Sequence, residues 1–155
     1  METLSIEKSR VIKAYQTADG EVKKLLQTLF PTQFFDWKDI KTFEDACRIA
    51  GVDPGIYATP KNATDDQIGL IAFSKLQLIY KVFNQGWKPD WTSFSEWKYY
   101  PWFRYSAGSG FSYDDDSFTR THTYAGSRLC TDTSEKAKYI GKTFIDIYNQ
   151  FLSIH

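Results

Sequence analysis

The chain has 155 residues, of which 42% are hydrophobic and 25% charged, an ordinary globular composition that excludes disorder on a large scale. Lysine plus arginine and aspartate plus glutamate both number 19, so the formal net charge is zero. No global basic field draws a long polyanion, and any nucleic-acid site has to be local.

The length fits one domain, and the order of sequence patterns predicts an α+β fold. Apolar residues Leu4, Val11, Tyr15, Ala18, Val22, Leu25 and Leu29 recur at helical steps, predicting helix over 4–30, split or bent at Gly20 and ended by Pro31. The next residues, TQFFDWKDI, mix rings with acids without a period and read as a connection. Thr42 with Asp45 three residues on has the pattern of a capping box, predicting a helix over 43–50 that stops at Gly51. The two prolines and the glycine of VDPGIYATPKN predict a loop.

Thr64 with Gln67 is a second capping box, opening a helix over 65–84. Ile68, Ile71, Leu76, Ile79, Val82 and Phe83 form one apolar stripe and Leu70, Phe73 and Tyr80 another, so this helix is expected at the centre of the core. Gly86 ends it.

The run WKPDWTSFSEWKYYPWFRY follows, in which nearly every second residue is aromatic. Tyr99 to Tyr105 predicts a strand, Ser106 to Gly110 a turn, and Phe111 onward a second β stretch interrupted by Asp114, Asp115 and Asp116. From Phe118 the alternation is strict, with Phe118, Arg120, His122 and Tyr124 on one face of an expected strand and threonines on the other. Asp132 or Thr133 caps a last helix over 133–152 carrying Ala137, Ile140, Phe144, Ile147, Tyr148 and Phe151 inward. The small antiparallel sheet is expected to pack on the last two helices. The whole is expected to be one domain, mainly helical over 1–86 and aromatic-rich sheet plus helix over 87–155.

From about residue 41 to 151 the segments KTFEDACRIAGVDP, GWKPDW, KYYPWF, GSRLC and AKYIGKTFIDIY resemble a family of short proteins encoded by Bacteroidota phages and integrated elements, to which no activity is assigned. The resemblance implies a phage-type source and a bacterial host cell, and leaves the activity open. METLSIEKSR lacks the apolar core of a secretion signal, and no stretch approaches the roughly 18 apolar residues of a membrane span. A cytoplasmic, non-membrane protein with Cys47 and Cys130 as free thiols is expected.

Two residue sets could carry binding. Trp87, Trp91, Trp97, Tyr99, Tyr100, Trp102 and Tyr105 offer ring faces on which bases stack, with Lys98 and Arg104 supplying charge. The same rings could instead fill the space between sheet and helices. Arg104, Arg120 and Arg128, with His122, could hold a phosphate through bidentate guanidinium contacts, or Arg120 could pair with the Asp114 to Asp116 run across a hairpin. The three aspartates could in principle hold a divalent cation, although neighbouring strand residues cannot all point one way; the competing expectation is a solvated hairpin tip. Cys130 or a serine with His122 is the one nucleophile–base option, and no nucleophile elbow, Walker loop or dinucleotide spacing surrounds any candidate.

These patterns point to a non-enzymatic binding module without a cofactor. The expected site is Trp97, Tyr100, Trp102, Arg104, Arg120, His122 and Arg128, holding a nucleotide or single-stranded nucleic acid. The alternative is a protein-interaction module, an assembly component or an inhibitor of a host protein, using the same Trp, Tyr and Arg side chains as anchors.

Overall fold

The computed structural model describes residues 7–30 and 34–153. Leu4 and Pro31 of the first expected helix, and His155, lie outside the described residues. The architecture is α+β, and the chain divides into two compact units, one up to Asp36 and one from Trp37 onward.

In the first unit the expected single helix is two, α1 (Lys8–Thr17) and α2 (Gly20–Leu29). The break comes one residue before Gly20, because Asp19 leaves helical geometry and its carboxylate accepts the Val22 N–H at 3.0 Å, capping a new helix. Tyr15 stacks on Phe34 at 4.3 Å and accepts a hydrogen bond from Gln27 at 3.1 Å.

The second unit opens with a 3-10 turn, Trp37–Asp39, and α3 (Phe43–Ala50). The capping box of α3 forms in both directions between Thr42 and Asp45, and Gly51 closes the helix in the left-handed region. A second 3-10 turn, Pro54–Tyr57, precedes α4 (Asp65–Phe83), whose Thr64 and Gln67 again cap reciprocally. Leu76 and Ile79 are wholly buried on α4, and so is Phe83, whose ring meets Trp37, Tyr139 and Phe144. Burial is concentrated in the C-terminal two thirds of the helix: Leu70, expected in its second stripe, is 66% exposed.

The sheet has two antiparallel strands, β1 (Lys98–Ser106) and β2 (Gly110–Thr119), in a register running from Lys98 opposite Thr119 to Ser106 opposite Gly110. A bulge lies at Trp102/Phe103, where Asp114 is the extra residue of β2. The aspartates therefore do not interrupt β2 or form its tip; they sit within it. Strand structure stops at Thr119, which corrects the expected strand from Phe118 to Tyr124. The physical reason is the register: β1 begins at Lys98, so residues beyond Thr119 have no backbone left to pair with. Thr119 donates its hydroxyl hydrogen to the His122 carbonyl and turns the chain away instead.

The last expected helix is also two, α5 (Ser134–Thr143) and α6 (Ile145–Leu152), with Phe144 as the joint. The sheet packs mainly against these two halves of the last expected helix; the expected packing on the 65–84 helix as well is not a main contact, because α4 packs on α6 and α3 instead. At Gly141 the backbone of α5 approaches the sheet so closely that a Cβ would lie 2.5 Å from Pro101 Cβ and 2.8 Å from Tyr113 Cδ2. On α6, Asn149 accepts the Phe111 N–H at 2.8 Å and donates to the Phe111 carbonyl at 2.9 Å, tying α6 to the start of β2. Among the described residues no helix is long and apolar enough to cross a membrane.

Candidate functional site

The seven expected site residues separate into several environments. Trp97 stands just before β1, with the ring of Phe118 at 4.7 Å edge-on and the guanidinium of Arg120 over its face at 3.8 Å. Arg120 therefore stacks on a ring, and the acids expected for it go elsewhere: Asp114 pairs with Arg104 at 3.1 Å and Asp116 with Lys138 at 3.2 Å. Asp115 accepts the Asp116 N–H. Among the described residues no group of three or more His, Cys, Asp or Glu side chains is placed to hold a metal ion.

Tyr100 is 4% exposed, and its ring lies 6.2 Å from that of Trp102, which is 49% exposed. Both line a cavity of about 300 Å³ together with Phe103, Tyr124, Leu129, Tyr148 and Phe151. The hydroxyl of Tyr148 shares a hydrogen bond of 2.7 Å with that of Tyr80, and burial pushes both phenols well above their ordinary range. His122 is exposed, with Nδ1 3.2 Å from the Thr121 hydroxyl. Cys130 is buried, its thiol 3.7 Å from the Ser127 carbonyl, and burial raises its pKa to about 11. A nucleophilic cysteine works as the thiolate, so this environment disfavours the one thiol considered for catalysis.

Lys98 is placed differently from the expectation. It is fully buried, its ammonium donating to the Asp90 and Glu96 carbonyls and pairing with the Glu96 carboxylate at 3.1 Å, with the Trp91 ring 5.5 Å away. It pins the 90–96 loop to the start of β1 and has no charge to offer a ligand.

Arg128 leaves the other arginines and joins groups that the sequence did not connect. It lines an open groove of about 1100 Å³ with Lys81, Asn84, Trp87 and Lys88, and with Ile56 and Leu78 among its apolar walls. Among the described residues no acidic side chain lines the groove. Among the described residues Lys81, Lys88 and Arg128 form no ion pair.

The C-terminal end of α4 builds this groove. After Phe83 the chain passes through two left-handed residues, Gln85 at φ 47° and Gly86 at φ 91°. Such a conformation costs a non-glycine residue about 1 to 3 kcal/mol and persists where its surroundings impose it. Here the Gln85 N–H donates to Val82 and the Trp87 N–H to Asn84, at 3.2 and 2.8 Å. The turn sets Trp87 beside the groove. Asn84 donates to the Cys130 carbonyl at 2.9 Å, which fixes its amide, while its Oδ1 is buried with no donor.

The negative end of the α4 dipole also points here, but it is equivalent to only about half an elementary charge. Three cations outweigh it, and the groove is electropositive in a protein of zero net charge. The sequence carries little signal for it: Lys81 lies outside both apolar stripes of α4, and Lys88 is a single charge in the aromatic run after Gly86. Comparison with protein-family models, with curated proteins and with solved structures finds no match to the chain.

Proposed function

We propose that the protein is a non-enzymatic binding module that holds a nucleotide or a short single-stranded nucleic-acid segment in the groove at the end of α4. Arg128, Lys81 and Lys88 meet phosphate oxygens, and Trp87 stacks on a base. The observation that carries this reading is the convergence of three cations, without anionic partners among the described residues, on one groove that also holds an indole. Guanidinium and ammonium groups recognise phosphate, and base–aromatic stacking adds about 1 to 3 kcal/mol per base. The resemblance to phage-encoded proteins suits such a role in the cytoplasm of a bacterial host, as a replication accessory or a sink for a signal nucleotide.

The exposed rings of Trp102, Tyr105, Phe118 and Tyr124 favour a second reading, a protein-interaction module. Titration of mono-, di- and cyclic nucleotides and short single-stranded oligonucleotides, followed by tryptophan fluorescence, separates the two. Binding that Arg128→Ala and Trp87→Leu weaken, and that Trp97→Leu leaves unchanged, is the expected result. Absence of binding to any of them at millimolar nucleotide, in folded protein, would hand the case to the second reading.

A further inference from the structure

The two-stranded sheet has two outer edges, and they end differently. On β2 the outward N–H and carbonyl of Phe111 are both taken by Asn149 of α6. On β1 the outward groups of Tyr99 are taken by Thr131, which exchanges hydrogen bonds of 2.9 and 2.8 Å with it. Tyr99 thus faces away from β2, and the antiparallel alternation gives Pro101, Phe103 and Tyr105 the same orientation. The bulge preserves it, because Phe111, the partner of Tyr105, also turns its own backbone outward. Pro101 has no N–H. The N–H and carbonyl groups of Phe103 and Tyr105 face outward with no protein partner among the described residues.

The apolar cavity lies along the same edge, walled by Trp102 and Phe103 from β1, Tyr124 from the following loop, and Tyr148 and Phe151 from α6. It shares no lining residue with the cationic groove. We propose that β1 is a docking edge for an extended segment of another protein, which adds as a third strand opposite Phe103 and Tyr105 and places a large apolar side chain in this cavity. The protein's own chain already uses the edge in this manner at Thr131, and the docked segment continues that pairing.

The geometry specifies the partner. In the antiparallel register the residue facing Phe103 projects to the α6 side, as the Phe103 ring does against Tyr148 at 4.4 Å, and fills the cavity. Its neighbour on the N-terminal side lies beside Arg104, exposed and paired with Asp114, and an acidic residue there shares that cation. The residue on the other side lies against the exposed ring of Trp102. Because Pro101 cannot donate, pairing is confined to a short span and the register is fixed.

The test is selection from a random library of displayed peptides of about ten residues, followed by hydrogen exchange and affinity measurements on the enriched peptides. Enriched sequences should carry a large apolar residue preceded by an acid, and should slow exchange of the Phe103 and Tyr105 amides. Tyr105→Pro removes an outward donor while leaving the β1–β2 ladder intact, and should weaken binding about two- to tenfold, as the loss of one hydrogen bond does. A melt of this variant matching the parent shows that the fold is retained, and N-methylation of the peptide backbone is the matching change if it does not. No enrichment, binding that leaves both amides unprotected, or self-association of the protein through this edge in place of peptide binding would overturn the proposal.

Discussion

Single atoms decide several of these arrangements, and Gly141 is the clearest case. An added methyl group at Gly141 meets the rigid ring of Pro101 and the ring of Tyr113 at distances no real Cβ contact shows, and all three belong to packed elements. Gly141→Ala should therefore cost about 1 to 3 kcal/mol, as overpacking does. Gly20→Ala, on α2 with open space around it, should be neutral or stabilising, since alanine is the better helix former by about 1 kcal/mol. Equal midpoints for the two variants in denaturant unfolding would refute the close approach. Asp45 gives a pH-dependent counterpart. Burial raises its pKa, but hydrogen bonds from the Lys41 N–H, the Arg48 guanidinium, and the Thr42 hydroxyl and N–H together outweigh that and leave the carboxyl below its ordinary value. A depressed folded pKa contributes stability above the unfolded value, and that contribution is lost as pH falls through the folded one. Asp45→Asn should then lower the melting temperature at about pH 7 more than at about pH 3, because at the lower pH protonation has removed part of the same interaction from the parent.

At the scale of elements, α4 tests how burial is distributed along one helix. Leu76 is wholly buried and Leu70 is 66% exposed, six positions apart on the same helix. Leu76→Ala should cost about 2 to 5 kcal/mol and Leu70→Ala well under 1 kcal/mol; similar costs in thermal or urea unfolding would place the core elsewhere. The elements that could be read from the sequence are those whose signals are local. Thr42 with Asp45 and Thr64 with Gln67 set the starts of α3 and α4 because a cap is made within four residues. The strand expected over 118–124 failed for the opposite reason. Alternation describes a chain that could pair, but whether it does depends on where the partner strand ends, here at Lys98, and on Arg120 leaving the pattern to stack on Trp97. The split at Asp19 was half visible, since Gly20 flagged it and the neighbouring carboxylate made it. Of the candidate site, ring and guanidinium types could be read but their grouping could not: Arg128 meets Trp87 only through the left-handed turn at Gln85 and Gly86, and Lys98 turns inward as Glu96 folds back over it.

For the molecule as a whole the deciding quantity is the contrast between zero net charge and one cationic groove. With 19 positive and 19 negative side chains, the long-range field is weak and oligonucleotide binding can release counterions only through the local contacts of Lys81, Lys88 and Arg128. For a single strand each phosphate contact adds about −0.7 to the slope of log affinity against log salt, so two or three contacts give a slope of about −1.4 to −2.1. Affinity should fall about 7- to 20-fold between roughly 50 and 200 mM salt, against the about 10³- to 10⁵-fold of a protein making 6 to 10 contacts. Arg128→Ala should reduce the steepness by about 0.7 and lower affinity most at low salt. Trp87→Leu should lower affinity by about 1 to 3 kcal/mol at every salt concentration with the slope unchanged, because stacking is not a counterion effect. Tyr105→Pro should alter neither quantity, since the β1 edge shares no residue with the groove. Fluorescence titrations of one oligonucleotide at four salt concentrations with the parent and these three variants measure all of this. A salt slope near zero, or one that Arg128→Ala leaves as steep as before, would remove the phosphate from the groove and with it the nucleotide reading.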